Sequence, residues 1–242
     1  MAQLLPFRPM SGFYLKDDFY QSDAITTGLI GELDWELTHV GAGGTESYLI
    51  TTNAVPGRPG ILRFLPAGAA GDGTAYHLDI DGIVLNGNSG SASCGVRIPD
   101  IAGNLVVGSD FRFGLGDSVT ATANTVGIWL CITDGVVAME MDSADHGDNR
   151  SAAAGCSALD GGTTMEIGEW YDFELRWSAE NAQGGPARGM LYVNGVPAFD
   201  PPMTCEIDDD EEMEFGFRHW NAGATTLEWD LDYVDILIKG RG

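Results

Sequence analysis

The chain has 242 residues, 44% of them hydrophobic, which is enough to bury one large core. Thirty-six acidic against twelve basic residues give a formal net charge of −24, and a surface this acidic repels nucleic-acid phosphates, so no direct DNA or RNA binding is expected. No apolar run reaches the roughly 18 residues of a membrane span, so no membrane partner is expected, and the opening MAQLLPFRPM lacks the pattern of a secretory signal.

In chain order, the first segment differs from the rest. Pro6, Pro9 and Gly12 break any regular element, so residues 1–16 are read as an extended N-terminal arm and 17–242 as one domain. Leu4, Leu5 and Phe7 make the arm too apolar to stay free in water, and Arg8 adds a cation. These four are the expected assembly contacts. Further along, FRFGL alternates through Phe111, Phe113 and Leu115, and Asp134-Gly135 divides GIWLCI from VVAMEM as a tight hairpin turn. If VVAMEMD is a strand, Val136, Ala138, Glu140 and Asp142 share one face and Val137, Met139 and Met141 the other. DNRSAAAGCSALDGG reads as loop or one short turn. WYDFELRW places Tyr171, Phe173, Leu175 and Trp177 on one face, and Asn194-Gly195 marks a second hairpin. MEFGFRHW aligns Met213, Phe215, Phe217 and His219. LEWDLDY sets Leu227, Trp229, Leu231 and Tyr233 opposite Glu228, Asp230 and Asp232. No stretch of a dozen residues has a helical period. The expected fold is all-β, with roughly twelve to fourteen antiparallel strands in two packed sheets.

GEWYDFELRW, GMLYVNGVPAF and MEFGFRHWNAGATTLEWDLDYVDILI, in that order, resemble the concanavalin A-like (laminin G-like) jelly roll. The opening DDFYQSDAITTGLIGELDWEL is similar to the version found in tailed-phage virion structural proteins, where DDF leads into G-x-I-G-E-L-x-W. The resemblance spans roughly residues 17 to 239. It implies a jelly-roll β-sandwich on the surface of a phage particle, made in the host cytoplasm. The role implied is a capsid decoration or cement protein whose partners are a major capsid protein, another virion protein or further copies of itself. No cofactor is implied. A glycan-binding host-attachment module of a tail or head fibre is the alternative, with a glycan as partner, and a glucanase-like hydrolase the second alternative.

The hydrolase alternative centres on AMEMDSAD. Retaining β-glucanases of this fold carry E-x-D-x-E or E-x-D-x-x-E, so the resemblance would make Glu140 the nucleophile, Asp142 its helper and Asp145 the acid/base. Asp145 is one methylene short of the glutamate expected there, and the loop-like HGDNR follows it. An acidic row beside a tight hairpin also suits a very acidic chain. The row is therefore expected to face solvent and not to be catalytic.

Other chemistry is sparse. Cys94, Cys131, Cys156 and Cys205 have no zinc spacing and are expected as free thiols. The contiguous acids Asp208 to Glu212 lack the D-x-D-x-D-G spacing of a calcium loop, and no metal site is expected. His39, His77, His146 and His219 are isolated and read as structural. The tryptophans default to the core. Trp220, followed by Asn221, Gly223 and Thr225, is the candidate for a sugar-stacking ring near a loop.

Overall fold

The computed structural model describes residues 12–19, 29–31, 33–40, 45–49, 58, 60–65, 69–78, 88–101, 108–120, 126–142, 149–178, 187–205, 213–221 and 228–239. Seventeen strands run through them. In chain order they begin with β1 (Gly12–Asp17), β2 (Leu29–Ile30), β3 (Trp35–Val40), β4 (Thr45–Leu49), β5 (Ile61–Leu65) and β6 (Gly73–Leu78). Next come β7 (Ser89–Arg97), β8 (Ser109–Gly116), β9 (Gly127–Thr133), β10 (Val136–Asp142), β11 (Asn149–Ala152) and β12 (Trp170–Ser178). The last are β13 (Ala187–Val193), β14 (Val196–Pro197), β15 (Met203–Cys205), β16 (Glu214–Asn221) and β17 (Trp229–Lys239).

All pairings are antiparallel. The first sheet has the order β14-β13-β12-β7-β17-β5-β4, with β1 also on β17 and β15 also on β13. The second has the order β11-β10-β9-β8-β16-β6-β3-β2. Two antiparallel sheets without a helix among the described residues make a jelly-roll-like β-sandwich. The strand count exceeds the expected one because β2 and β14 have two residues each and β15 three, too short for alternation to show.

Alternation locates the core. In β12, Tyr171, Phe173, Leu175 and Trp177 are buried while their neighbours are half-buried or exposed. Phe215 and Phe217 of β16 meet them from the other sheet in one apolar cluster. Asp134 (φ 52°) with Gly135 (φ 75°), and Asn194 (φ 50°) with Gly195 (φ 77°), form the two expected hairpin turns.

Strand pairing begins ahead of residue 17. Gly12 to Asp17 pair with Lys239 to Val234, so the end of the expected arm is an edge strand of the first sheet. Leu4, Leu5, Phe7 and Arg8 lie outside the described residues.

The DDF and GLIGELDW segments meet at one carboxylate. Asp17 is fully buried. It accepts hydrogen bonds from the Phe19 amide (2.7 Å), the Leu33 amide (3.1 Å) and the Trp35 indole Nε1 (2.9 Å). Gly31, at φ 74°, lies against this carboxylate, and a Cβ there would overlap it. Phe19 and Trp35 then pack with Phe217. The motif therefore closes one side of the core. Asp17→Asn leaves one oxygen for three donors and presents an amide N–H₂ where an acceptor is needed. The expected loss is about 2–4 kcal/mol, read as a lower urea midpoint at unchanged slope. A loss below about 0.5 kcal/mol would contradict this role.

Candidate functional site

β10 places its side chains as alternation predicts. Val137, Met139 and Met141 enter the main core. Ala138, Glu140 and Asp142 point to the outer face of the second sheet. That face is not wet, which corrects the expectation from sequence: Glu140 is 0% and Asp142 3% exposed. Part of this face is covered by the segment after β8. Val119 is fully buried and forms a small apolar cluster with Ala75, Trp129, Cys131 and Ala138. Its amide donates to Glu214 Oε2 (2.9 Å). Its carbonyl accepts from Arg218 Nη1 at 3.5 Å. Glycines on the sheet make room: a Cβ at Gly216 would stand 2.8 Å from Val119 Cγ1, and one at Gly116 would overlap the Trp129 ring.

Beneath this cover lies a charged cluster. Arg112 and Arg218 are directly opposite each other on β8 and β16, 6% and 2% exposed. Like charges in such a pair repel, and carboxylates offset them. Arg112 Nη1 reaches Glu140 Oε1 at 3.4 Å, and its Nε lies 3.6 Å from Asp110 Oδ2. Cys131 Sγ donates to Glu140 Oε2 at 3.3 Å. Burial, and then the neighbouring Arg112 charge, push the Arg218 guanidinium down to about 10. Burial also opposes the charge on Arg112, but Cys131, Asp110, Glu140 and Asp142 together hold it above the usual arginine value.

A retaining glycosidase needs two carboxyl groups about 5–5.5 Å apart with a sugar between them. Glu140 and Asp142 are neighbours on one face, but Glu140 is closed off from solvent and engaged by Arg112 and Cys131. Asp145 lies outside the described residues. Trp220 does not match its expected exposure. It is 6% exposed, lies over Gly73, where a Cβ would overlap its ring, and has the Arg218 guanidinium 5.6 Å from its centroid. It is a wall of the cluster and not a surface platform.

The remaining candidates fall into place individually. His219 is buried beside Trp229, ring centroids 5.9 Å apart, and burial pushes it down to about 3, so it stays neutral at physiological pH. His77 Nδ1 is 3.9 Å from Glu214 Oε2, and His39 Nδ1 is 3.5 Å from Thr74 Oγ1. His146, and Asp208 to Glu212, lie outside the described residues. Among the described residues no three His, Cys, Asp or Glu side chains group as metal ligands. Cys94, Cys131 and Cys156 are buried, and none of the three is in a disulfide among the described residues.

The outer face of the first sheet holds the charges that sequence reading passed over. Lys16, Arg58, Arg63, Arg97, Arg176, Arg188 and Lys239 gather there, by register and alternation. Asp230 is fully buried between two of them. Arg63 donates to it through Nε (2.6 Å) and Nη2 (2.9 Å), and Arg97 through Nε (3.0 Å) and Nη2. Arg58 bridges Asp232 (2.6 Å) and Asp172 (3.3 Å). The Arg58 and Arg97 guanidiniums lie 4.4 and 4.9 Å from the Trp170 ring. A bulge between Leu231 and Val234 aims Asp232 and Tyr233 at this network. Burial, and then Asp172, raise the Tyr233 phenol well above its usual value.

No family model matches the chain, and no curated protein matches it in sequence. Solved structures do match in fold. A protein of unknown function from Shewanella oneidensis MR-1 aligns with a TM-score of 0.61 at 13% identity, over 96% of this chain and 88% of that one. An endo-1,3-beta-glucanase from Streptomyces sioyaensis aligns with a TM-score of 0.58 at 13% identity, over 98% and 100%. A carbohydrate esterase from the Shiga toxin-encoding bacteriophage phi24B aligns with a TM-score of 0.55 at 11% identity, over 93% and 98%. At these identities the likeness is one of fold: a two-sheet, jelly-roll-like β-sandwich.

Proposed function

We propose that this chain is a non-enzymatic structural protein of a tailed-phage virion, a decoration protein that binds the head surface. The observation that carries the non-enzymatic part is the closed carboxylate face. Glu140 has no exposed surface, and its oxygens face Arg112 and Cys131. A nucleophile needs an open approach and a second carboxyl group across a bound sugar. Here the position is occupied by packing.

The virion part is supported by the similarity of the opening DDF and GLIGELDW segments to phage virion proteins. A strongly acidic body also suits a protein that must stay off packaged nucleic acid and meet a basic partner. The sandwich serves as a rigid block, and many weak contacts per particle add through multivalency. Leu4, Leu5, Phe7 and Arg8 supply the anchoring contacts to a capsid protein or to sister copies. The test uses particles of the encoding phage that lack the chain. Purified full-length protein should rebind them saturably, and a variant lacking residues 1–11 should stay folded and lose that binding. Equal binding by the truncated protein removes the arm as anchor. Absence of the chain from purified wild-type particles removes the virion role.

Glycan binding is the second reading. Favouring it is a polar depression beside an exposed aromatic ring on the outer face of the first sheet.

A further inference from the structure

We propose that this depression is a binding site for a carboxylate-bearing saccharide, built on β1, β7, β12 and β17. The proposal rests on the glycan-binding reading and is independent of the virion role. The depression has a volume of about 410 Å³. Ser89, Gly90 and Ser91 on β7, Glu174, Arg176 and Trp177 on β12, and Leu237 and Lys239 on β17 line it. A Cβ at Gly90 would overlap the Trp177 ring. Glycine at this position therefore lets the Trp177 indole lie against the inner side of the sheet beneath the depression.

Each wall supplies a different part of saccharide recognition. The serine hydroxyls donate and accept, as sugar hydroxyls require. Tyr14 stands opposite Leu237 in the β1–β17 pair and is 59% exposed, the most exposed large hydrophobic side chain among the described residues. An aromatic ring at the rim of a polar depression provides the apolar face on which a sugar ring stacks.

The cations set the charge of the ligand. Arg176 is held in place before any ligand arrives. Glu174 accepts from its Nε and Nη2 at 2.7 Å each, and the guanidinium lies 4.4 Å from the Tyr192 ring centroid. Glu174 engages two of the five guanidinium donors, which leaves donors for a ligand carboxylate. Lys239 is exposed on the β17 side. Glu174 is already matched by Arg176, so Lys239 leaves this rim with a positive balance on a chain of net charge −24. An anionic sugar approaching elsewhere meets mostly carboxylates. Guanidinium and carboxylate pair through charge-assisted hydrogen bonds, a geometry that a neutral sugar cannot use.

The experiment is titration of the full chain by NMR at low salt with three probes: a galacturonate trisaccharide, a hyaluronate tetrasaccharide and N-acetylneuraminic acid. At least one should bind and perturb Ser89, Ser91 and Tyr14. Its methyl ester should bind about tenfold more weakly, as should the acid to Arg176→Gln. Tyr14→Ser, at an exposed edge position, should weaken acid and ester alike. No binding by any of the three probes overturns the assignment. Binding that is unchanged in both Arg176→Gln and Tyr14→Ser, or equal for acid and ester, does so too. Loss of particle binding in the truncation experiment would leave these titrations unaffected, so the two readings fail separately.

Discussion

Asp230→Ala is expected to cost about 3–5 kcal/mol of unfolding free energy. Asp230 has no exposed surface, and two arginines from different strands converge on it. By register it lies opposite Arg63 on β5 and opposite Arg97 on β7. One carboxylate thus joins three strands across the middle of the first sheet. Removing it leaves two guanidiniums, with side-chain exposures of 16% and 17%, facing one another without their shared anion. Breaking a buried pair costs more than the pair contributes, because the desolvated partner remains. Glu228, 3.4 Å from Arg63, recovers only part of the loss for that arginine. Asp230→Asn, which keeps shape and one acceptor, should cost less than the alanine variant. Guanidinium chloride unfolding at constant slope reads both. A loss below about 1 kcal/mol for Asp230→Ala would mean that the pairs behave as exposed ones.

Arg112→Met should be comparably damaging, about 3–5 kcal/mol, because it leaves the buried Glu140 carboxyl without its guanidinium partner. Glu140→Gln should cost less, about 1–2 kcal/mol, since the amide oxygen can still accept from Arg112 and only the weaker thiol bond from Cys131 is lost to the N–H₂. The double variant should be more stable than the sum of the two single losses, because the methionine no longer strands a carboxylate. Strict additivity within about 0.3 kcal/mol would show that Arg112 and Glu140 do not depend on each other and would remove the structural explanation for this carboxylate.

The parts of the fold visible in sequence are those governed by near neighbours. Alternation in WYDFELRW assigns the inward face of β12, and Asp-Gly and Asn-Gly mark two turns whose positive φ values these residues tolerate. Alternation also places Glu140 and Asp142 side by side. It cannot say whether anything lies on top of them, because that depends on residues from other parts of the chain, such as Val119, which packs on Ala138 and Trp129 of the same face. The same holds for Trp220, whose burial depends on Gly73 across the sheet. The D-x-D alternation of β17 is plain, but the arginines that make Asp230 structural are 167 and 133 residues distant. The DDF motif is an intermediate case. Its residues are conspicuous, yet their purpose emerges only when Asp17 meets Leu33 and Trp35. The depression proposed as a saccharide site left no local trace, since the serines, arginine, lysine and tyrosine around it come from four strands.

The most direct test of the closed carboxylate face is a reducing-sugar assay on soluble β-glucans, with wild type and Glu140→Gln at equal concentration and with both shown to be folded by their melting curves. The buried position of Glu140 predicts no release above blank from either protein. Release by the wild type that disappears in folded Glu140→Gln would contradict it, and would mean that this face opens to admit a substrate.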